Sequence, residues 1–180
     1  MTVIITKTGG RVDLTDPLSL DNHFTVEDIA AGLSKQCRFN GQIDRFYSVA
    51  EHSVLVSRMV PDSLALAALM HDAAEAYLGD VVTPLKSLIE GYETLEHGMM
   101  VAISCALDFD YELLGSHARK YIKIADLKAL KIEKNNFYPN EPDFESTRFV
   151  SVDSAATLKC LPPEAAYCEF IARFNELKES

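Results

Sequence analysis

Long apolar runs are missing from this chain. No stretch is long enough to cross a bilayer, and the first residues, MTVIITKTGGRVDL, lack the charged-then-apolar pattern of a secretory signal. These absences lead to the expectation of a cytoplasmic protein with no membrane partner. No C-x-x-C occurs either. Cys37, Cys105, Cys160 and Cys168 are scattered, which in a chain without an export signal reads as free thiols. Positive charge is scarce: 17 Lys and Arg face 27 Asp and Glu, for a formal net charge of −10. That balance argues against a non-specific binder of DNA or RNA. It leaves room for a small anionic substrate, because a few local Lys and Arg can hold a phosphate on an acidic protein. No repeat, low-complexity tract or linker divides residues 1–180, and that length suits one domain with a sizeable core.

What is present reads as helices. LALAALMHDAAEAYLGD, from Leu64 to Asp80, is rich in Leu, Ala and Met, and Gly79 is placed to end it, so one central helix is expected. Its apolar residues run all round it, which puts it inside the fold. Ser48-Val49-Ala50-Glu51 fits a capping box and starts a helix ahead of Pro61. Thr25 is placed to cap a short helix to about Lys35, and Asp62 or Ser63 the central one. Thr83-Pro84 opens another helix with Thr83 at N-cap and Lys86 at N3, broken near Gly91 and resuming to about Leu107. Ile122, Ala125, Ala129 and Ile132 form the apolar stripe of a helix from Ser116 to about Asn135. A polar loop follows, and Pro162-Pro163 precede a last helix to about Lys178. Gly9-Gly10, between Val3-Ile4-Ile5 and Arg11–Leu14, suits a short β-hairpin. The expected fold is all-α, about six helices, with a core over 37–135, an uncertain segment over 1–24, and a C-terminal loop and helix over 136–180.

Ionisable residues in the buried helix need partners or a metal. His71 and Glu75 are four apart and share a face of an ideal helix; Asp72 lies about 100° from His71. His52 sits in the first turns of the Ser48 helix. Asp126, in IKIADLKAL, interrupts a helix interior where Asp is a poor choice, at the edge of the apolar stripe. Two imidazoles and two carboxylates form a mixed N/O set that suits Zn, Mn, Co, Fe or Ni better than a thiolate-selective ion. Four protein ligands leave open positions for water and substrate. His97, on a Glu-rich helix, and His117, near a helix start, are weaker candidates for a second metal.

The ordered set, a His, then His-Asp, then a distant Asp, resembles the signature of the HD-domain metal-dependent phosphohydrolases. RFNGQIDRFYSVAEHS, LMHDAAEAYLGDVVTPLK and IKIAD are similar to the corresponding segments of bacterial 5′-deoxynucleotidases and of small viral enzymes that hydrolyse deoxynucleoside triphosphates, dATP in particular. The resemblance covers roughly 37–130 and implies an all-α bundle. It implies His52, His71, Asp72 and Asp126 as ligands of a divalent metal ion (Zn, Co, Mn, Mg or Ni) and Glu75 as the catalytic carboxylate. It implies contacts from Arg38, Lys86 and Lys123 to phosphate, from Asp80 near the sugar 3′-hydroxyl, and from Phe39 where 5′-deoxynucleotidases carry Trp. The function implied first is a dNTP triphosphohydrolase releasing deoxynucleoside and triphosphate, cytoplasmic (in the host if viral) and homo-oligomeric. The alternatives are a 5′-deoxynucleotidase acting on monophosphates and, in another class, a metal- and nucleotide-binding sensor without turnover.

Overall fold

The structure is a computed structural model, and it describes residues 2–111, 114–153 and 155–179. Two short antiparallel strands, β1 (Val3–Ile5) and β2 (Arg11–Asp13), open the chain with Val3 opposite Asp13. Eight α-helices follow among the described residues: α1 (Val26–Leu33), α2 (Val49–Ser57), α3 (Asp62–Leu69), α4 (Glu75–Leu78), α5 (Thr83–Lys86), α6 (Tyr92–Leu107), α7 (Ser116–Phe137) and α8 (Pro163–Glu179). The all-α expectation and the hairpin agree with this; the number of helices does not, because the expected central helix is broken into α3 and α4 and the next segment forms two separate helices, α5 and α6.

That break lies at the chemistry. Leu64–Asp80 is not one helix: α3 ends at Leu69, and 70–74 continue in tighter turns with Ala73 N–H donating to Met70 O and Glu75 N–H to Asp72 O. Such i→i+3 bonding turns the chain about 120° per residue instead of 100°. The carbonyl of Ala68, which an unbroken helix would offer to Asp72 N–H, accepts from His71 Nδ1 at 2.8 Å. A polar side chain competing for a helix carbonyl explains why the pattern of apolar residues did not reveal the break. At its start, Pro61 is the N-cap residue and neither Asp62 nor Ser63 caps. α5 begins one residue early, with Val82 at N-cap, so Lys86 ends a four-residue turn and is not at N3 of a longer helix.

Other local signals hold. Ser48 Oγ accepts from Glu51 N–H at 3.1 Å and Thr25 Oγ1 from Asp28 N–H at 3.1 Å. The Glu51 carboxylate does not close the capping box; it accepts from Cys160 N–H and Leu161 N–H, both at 2.9 Å, and ties the segment before α8 to α2. Thr8 N–H and Oγ1–H bond Asp28 at 2.8 and 2.7 Å and fasten the hairpin to α1.

The main core joins Val12 of β2 to Ile29 and Leu33 of α1, Val54 of α2, Leu69 of α3, Met99 and Ile103 of α6, and Phe170 of α8. A second cluster, Val56, Ala68, Ile122, Ala125 and Ala129, seats the expected stripe of α7 on α2 and α3. α2, α3 and α7 therefore meet around one point. α1 braces α4 closely: a Cβ on Gly32 would lie 2.8 Å from Ala76 O, and Gln36 Nε2 donates to Glu75 O at 2.7 Å.

Candidate metal centre

Each helix of that junction delivers a polar group to it. α2 carries His52, the tightened turn after α3 carries His71 and Asp72, and α7 carries Asp126. One ligand atom from each of His52, His71 and Asp72 lies within 4.8 Å of the others. His71 Nε2 is 3.1 Å and His52 Nε2 3.6 Å from Asp72 Oδ2, and His52 Nε2 is 3.4 Å from Asp126 Oδ1. His52 is fully buried; the side chains of His71, Asp72 and Asp126 keep 14 to 21% exposure, so the open side of the cluster faces their direction.

Both rings have the proton bookkeeping of metal ligands. His71 Nδ1–H donates to Ala68 O, and His52 Nδ1 lies 2.6 Å from Glu133 Oε1. With Nδ1 as donor in each ring, Nε2 is the nitrogen turned toward the carboxylates and, once deprotonated, the one free to bind an ion. Both Nε2 atoms are buried without a hydrogen bond. Two orphaned imidazole nitrogens beside carboxylates are what a divalent cation would satisfy, and His52, His71 and Asp72 lie close enough together to hold one, with Asp126 beside His52.

The electrostatics point the same way. Burial would raise the Asp72 carboxyl, but His71 and His52 outweigh it and hold it well below the usual carboxylate range. Burial also opposes ionisation of Asp126, and contacts from His52, His71 and Lys123 overcome it, lowering its pKa. Burial and Arg38 push His52 down, while Glu133 and Asp126 outweigh them and bring it up to about 9. Carboxylates held ionised beside the imidazoles keep the negative charge that a metal cation would meet.

A cavity of about 330 Å³ opens over the cluster, lined by His71, Asp72, Asp126, Lys86, Glu96 and Lys123 among others. That volume is in the range of small-molecule sites. Lys123 is 67% exposed and donates to Asp126 Oδ2 at 2.8 Å. Lys86 is held between two carboxylates, 3.1 Å from Glu75 Oε1 and 2.6 Å from Glu96 Oε1. Glu75 itself is buried beneath Lys86 with Oε2 unpartnered. Burial, then the charges of Asp72 and Asp80, raise its pKa to about 9 against the opposing effect of Lys86. Asp80 is also raised, by burial first and by Asp72, with Arg38 and His52 opposing.

Neither Glu75 nor Asp80 lines the cavity, and two further expected site residues stand elsewhere. Arg38 lies behind His52, donating from Nε and Nη2 to Glu133 Oε2 at 3.2 and 2.9 Å. Phe39, at φ 58°, packs edge-on to Phe137 and Tyr138 and does not line the cavity. His97 is exposed on α6, its ring 5.9 Å from that of Tyr111, and His117 is exposed at the start of α7.

Glu133, Glu96 and Arg119, the last of which also lines the cavity, were not singled out by sequence. A signal existed for two of them: Arg119, Lys123, Asp126 and Glu133 follow helical spacing along α7, a polar stripe beside the apolar one. Glu96 had none, because its partner Lys86 lies on another element.

No family model matches the chain. It is 36% identical over 171 positions to Uncharacterized protein YfdR of Escherichia coli, covering 91% of this chain and 89% of that protein. The chain belongs to this protein's family. Uncharacterized protein RCAP_rcc00048 of Rhodobacter capsulatus is 35% identical over 187 positions, covering 96% of this chain and 93% of its own. In both cases the similarity extends over nine-tenths or more of this chain. No helix among the described residues is long and apolar enough to cross a membrane.

Proposed function

We propose that the chain is a metal-dependent phosphohydrolase of deoxynucleotides, built as one HD-type domain over 1–180. The observation that carries the reading is the pair of buried, unpartnered imidazole Nε2 atoms facing Asp72 and Asp126 at the floor of an open cavity. The likeness of RFNGQ, LMHDAAEAYLGD and IKIAD to HD-domain segments supports the reaction class. A divalent ion held by His52, His71, Asp72 and Asp126 would polarise a phosphoryl oxygen and acidify a water. The chain's own groups do the rest. Glu75, buried and raised to about 9, moves a proton or orients the attacking water. Lys123 and Lys86 offset phosphate charge at the cavity wall, and Asp80 accepts from the sugar.

The substrate read first is a deoxynucleoside triphosphate, dATP in particular, cleaved to deoxynucleoside and triphosphate. A second reading, a 5′-deoxynucleotidase, has a specific observation in its favour: Lys86 is already paired with Glu96 at 2.6 Å, which reduces the positive charge offered to outer phosphates. A homo-oligomer in the cytoplasm completes the reading, with the exposed Leu85, Leu88 and Ile89 as apolar surface for self-association.

Incubation with dATP or dAMP and Mn²⁺ or Co²⁺, with products separated by chromatography, tests all of this. Triphosphate release from dATP supports the first reading. Phosphate release from dAMP at a higher rate replaces it with the second. Binding without any product leaves the sensor reading. In the first case Lys86→Ala lowers kcat/KM for dATP by about 1.5–3 kcal/mol, the scale of a charged hydrogen bond, and affects dAMP far less.

A further inference from the structure

The ring of His52 is flanked at both ends by carboxylates of one helix. Its Nε2 faces Asp126 Oδ1 at 3.4 Å and its Nδ1 meets Glu133 Oε1 at 2.6 Å. Asp126 and Glu133 are seven residues apart on α7, two turns and about 10 Å along the axis. The imidazole spans the gap between them. Glu133 is completely buried, and its second oxygen is taken by the Nε and Nη2 donors of Arg38. Arg38 is in turn fixed by the loop that starts α2: its N–H donates to Tyr47 O at 3.0 Å, and Cys37 bridges Ser48, the residue that caps the helix carrying His52.

We propose that Glu133 and Arg38 form a positioning pair for His52: Glu133 holds the Nδ1 proton, so that Nε2 is the ligand atom, and Arg38 fixes the Glu133 carboxylate in place. This rests on the metal-binding reading above and changes one part of it. Arg38 acts through Glu133 and does not bind phosphate: its side chain is only 12% exposed, its donors are engaged, and it is not among the residues lining the cavity. Neither residue touches substrate. Partners of this kind, a carboxylate on the far nitrogen of a ligating imidazole, tune metal affinity by roughly 10–100-fold. A purely structural ion pair could be exchanged for neutral residues with the metal affinity unchanged, and that difference is measurable.

The test uses the full chain as wild type, Glu133→Gln, and the double variant Arg38→Met/Glu133→Gln. The double variant removes the buried pair whole, which proteins commonly tolerate where a half-pair is not, so it carries the test if Glu133→Gln does not fold. Three quantities are read: Co²⁺ affinity by calorimetry, the His52 Nδ1–H proton resonance of the metal-free protein, and KM at equal metal occupancy. Expected are a Co²⁺ affinity about 10–100-fold weaker in both variants, an upfield move of the Nδ1–H resonance, and a KM equal in the two variants. Affinity within twofold of wild type in a folded variant, or an unmoved resonance, overturns the role of Glu133. A KM about tenfold higher in the double variant than in Glu133→Gln overturns the role of Arg38 and returns it to the phosphate. Failure of wild type to bind Co²⁺ overturns the metal reading instead, and the resonance still decides whether Glu133 holds the ring.

Discussion

Replacing Asp126 by Asn keeps the shape of the side chain and removes one of the two carboxylates that face the imidazoles. In the metal-free protein two contacts are lost, one to Lys123 and one to the buried His52 Nε2 at 3.4 Å. Asp126 gives up an ion pair with Lys123, itself 67% exposed, and such surface pairs contribute about 0–1 kcal/mol. The effect on the metal-bound protein is larger. An ion present at a hundred times its Kd stabilises the native state by about 2.7 kcal/mol. For a chain of this size that raises Tm by about 5–11 °C, at about 2–4 °C per kcal/mol. If the lost carboxylate weakens binding a hundredfold, the same ion concentration only equals Kd. The stabilisation then falls to about 0.4 kcal/mol and the rise in Tm to about 1–2 °C. The assay is a thermal melt of both proteins with and without Mn²⁺ or Co²⁺, at concentrations set from the wild-type Kd. His71→Ala is expected to behave likewise, since His71 Nε2 is 3.1 Å from Asp72 in the same cluster. An Asp126→Asn protein that keeps the full metal-induced rise would refute the ligand set and the reading built on it.

Three further outcomes are expected. Glu75→Gln keeps the metal-induced rise in Tm and loses turnover by about 10²-fold, the scale of a general acid or base; steady-state kinetics on the preferred substrate check it, and an unchanged kcat removes Glu75 from the chemistry. Gly32→Ala destabilises the protein by about 1–3 kcal/mol in a urea titration, because the new methyl meets the Ala76 backbone at 2.8 Å and α1 must back away from α4; a stability equal to wild type would mean that this contact relaxes freely. Asp28 is raised by burial, but its bonds from Thr8 outweigh this and hold its pKa below the ordinary value of 3.8. Its stabilising effect is therefore complete above the unfolded pKa and disappears as pH falls through the folded one. The gap in urea midpoint between wild type and Asp28→Asn should close below about pH 4, and a gap that stays constant with pH would show that the carboxylate charge is not involved.

The sequence by itself determined the features that depend on near neighbours in the chain. Ser48 and Thr25 cap their helices because a cap needs only a side-chain oxygen and an amide three residues on. The stripe of α7 packs as its spacing requires, and the hairpin forms around Gly9, whose φ of +88° suits glycine. The grouping of His52, His71, Asp72 and Asp126 was also legible, since unpaired ionisable residues on buried helical faces require a common partner. The tertiary structure alone decided how these groups are aimed. The helix breaks after Leu69 because His71 takes the Ala68 carbonyl, and this re-aims Asp72 and Glu75 relative to an ideal helix. Lys86 meets Glu96 ten residues away, Glu51 meets Leu161, and Arg38 meets Glu133 across 95 residues. Lys86 and Arg38 each had several opposite charges along the chain to choose from and Glu51 many backbone amides, and only tertiary packing brings one partner within hydrogen-bonding distance.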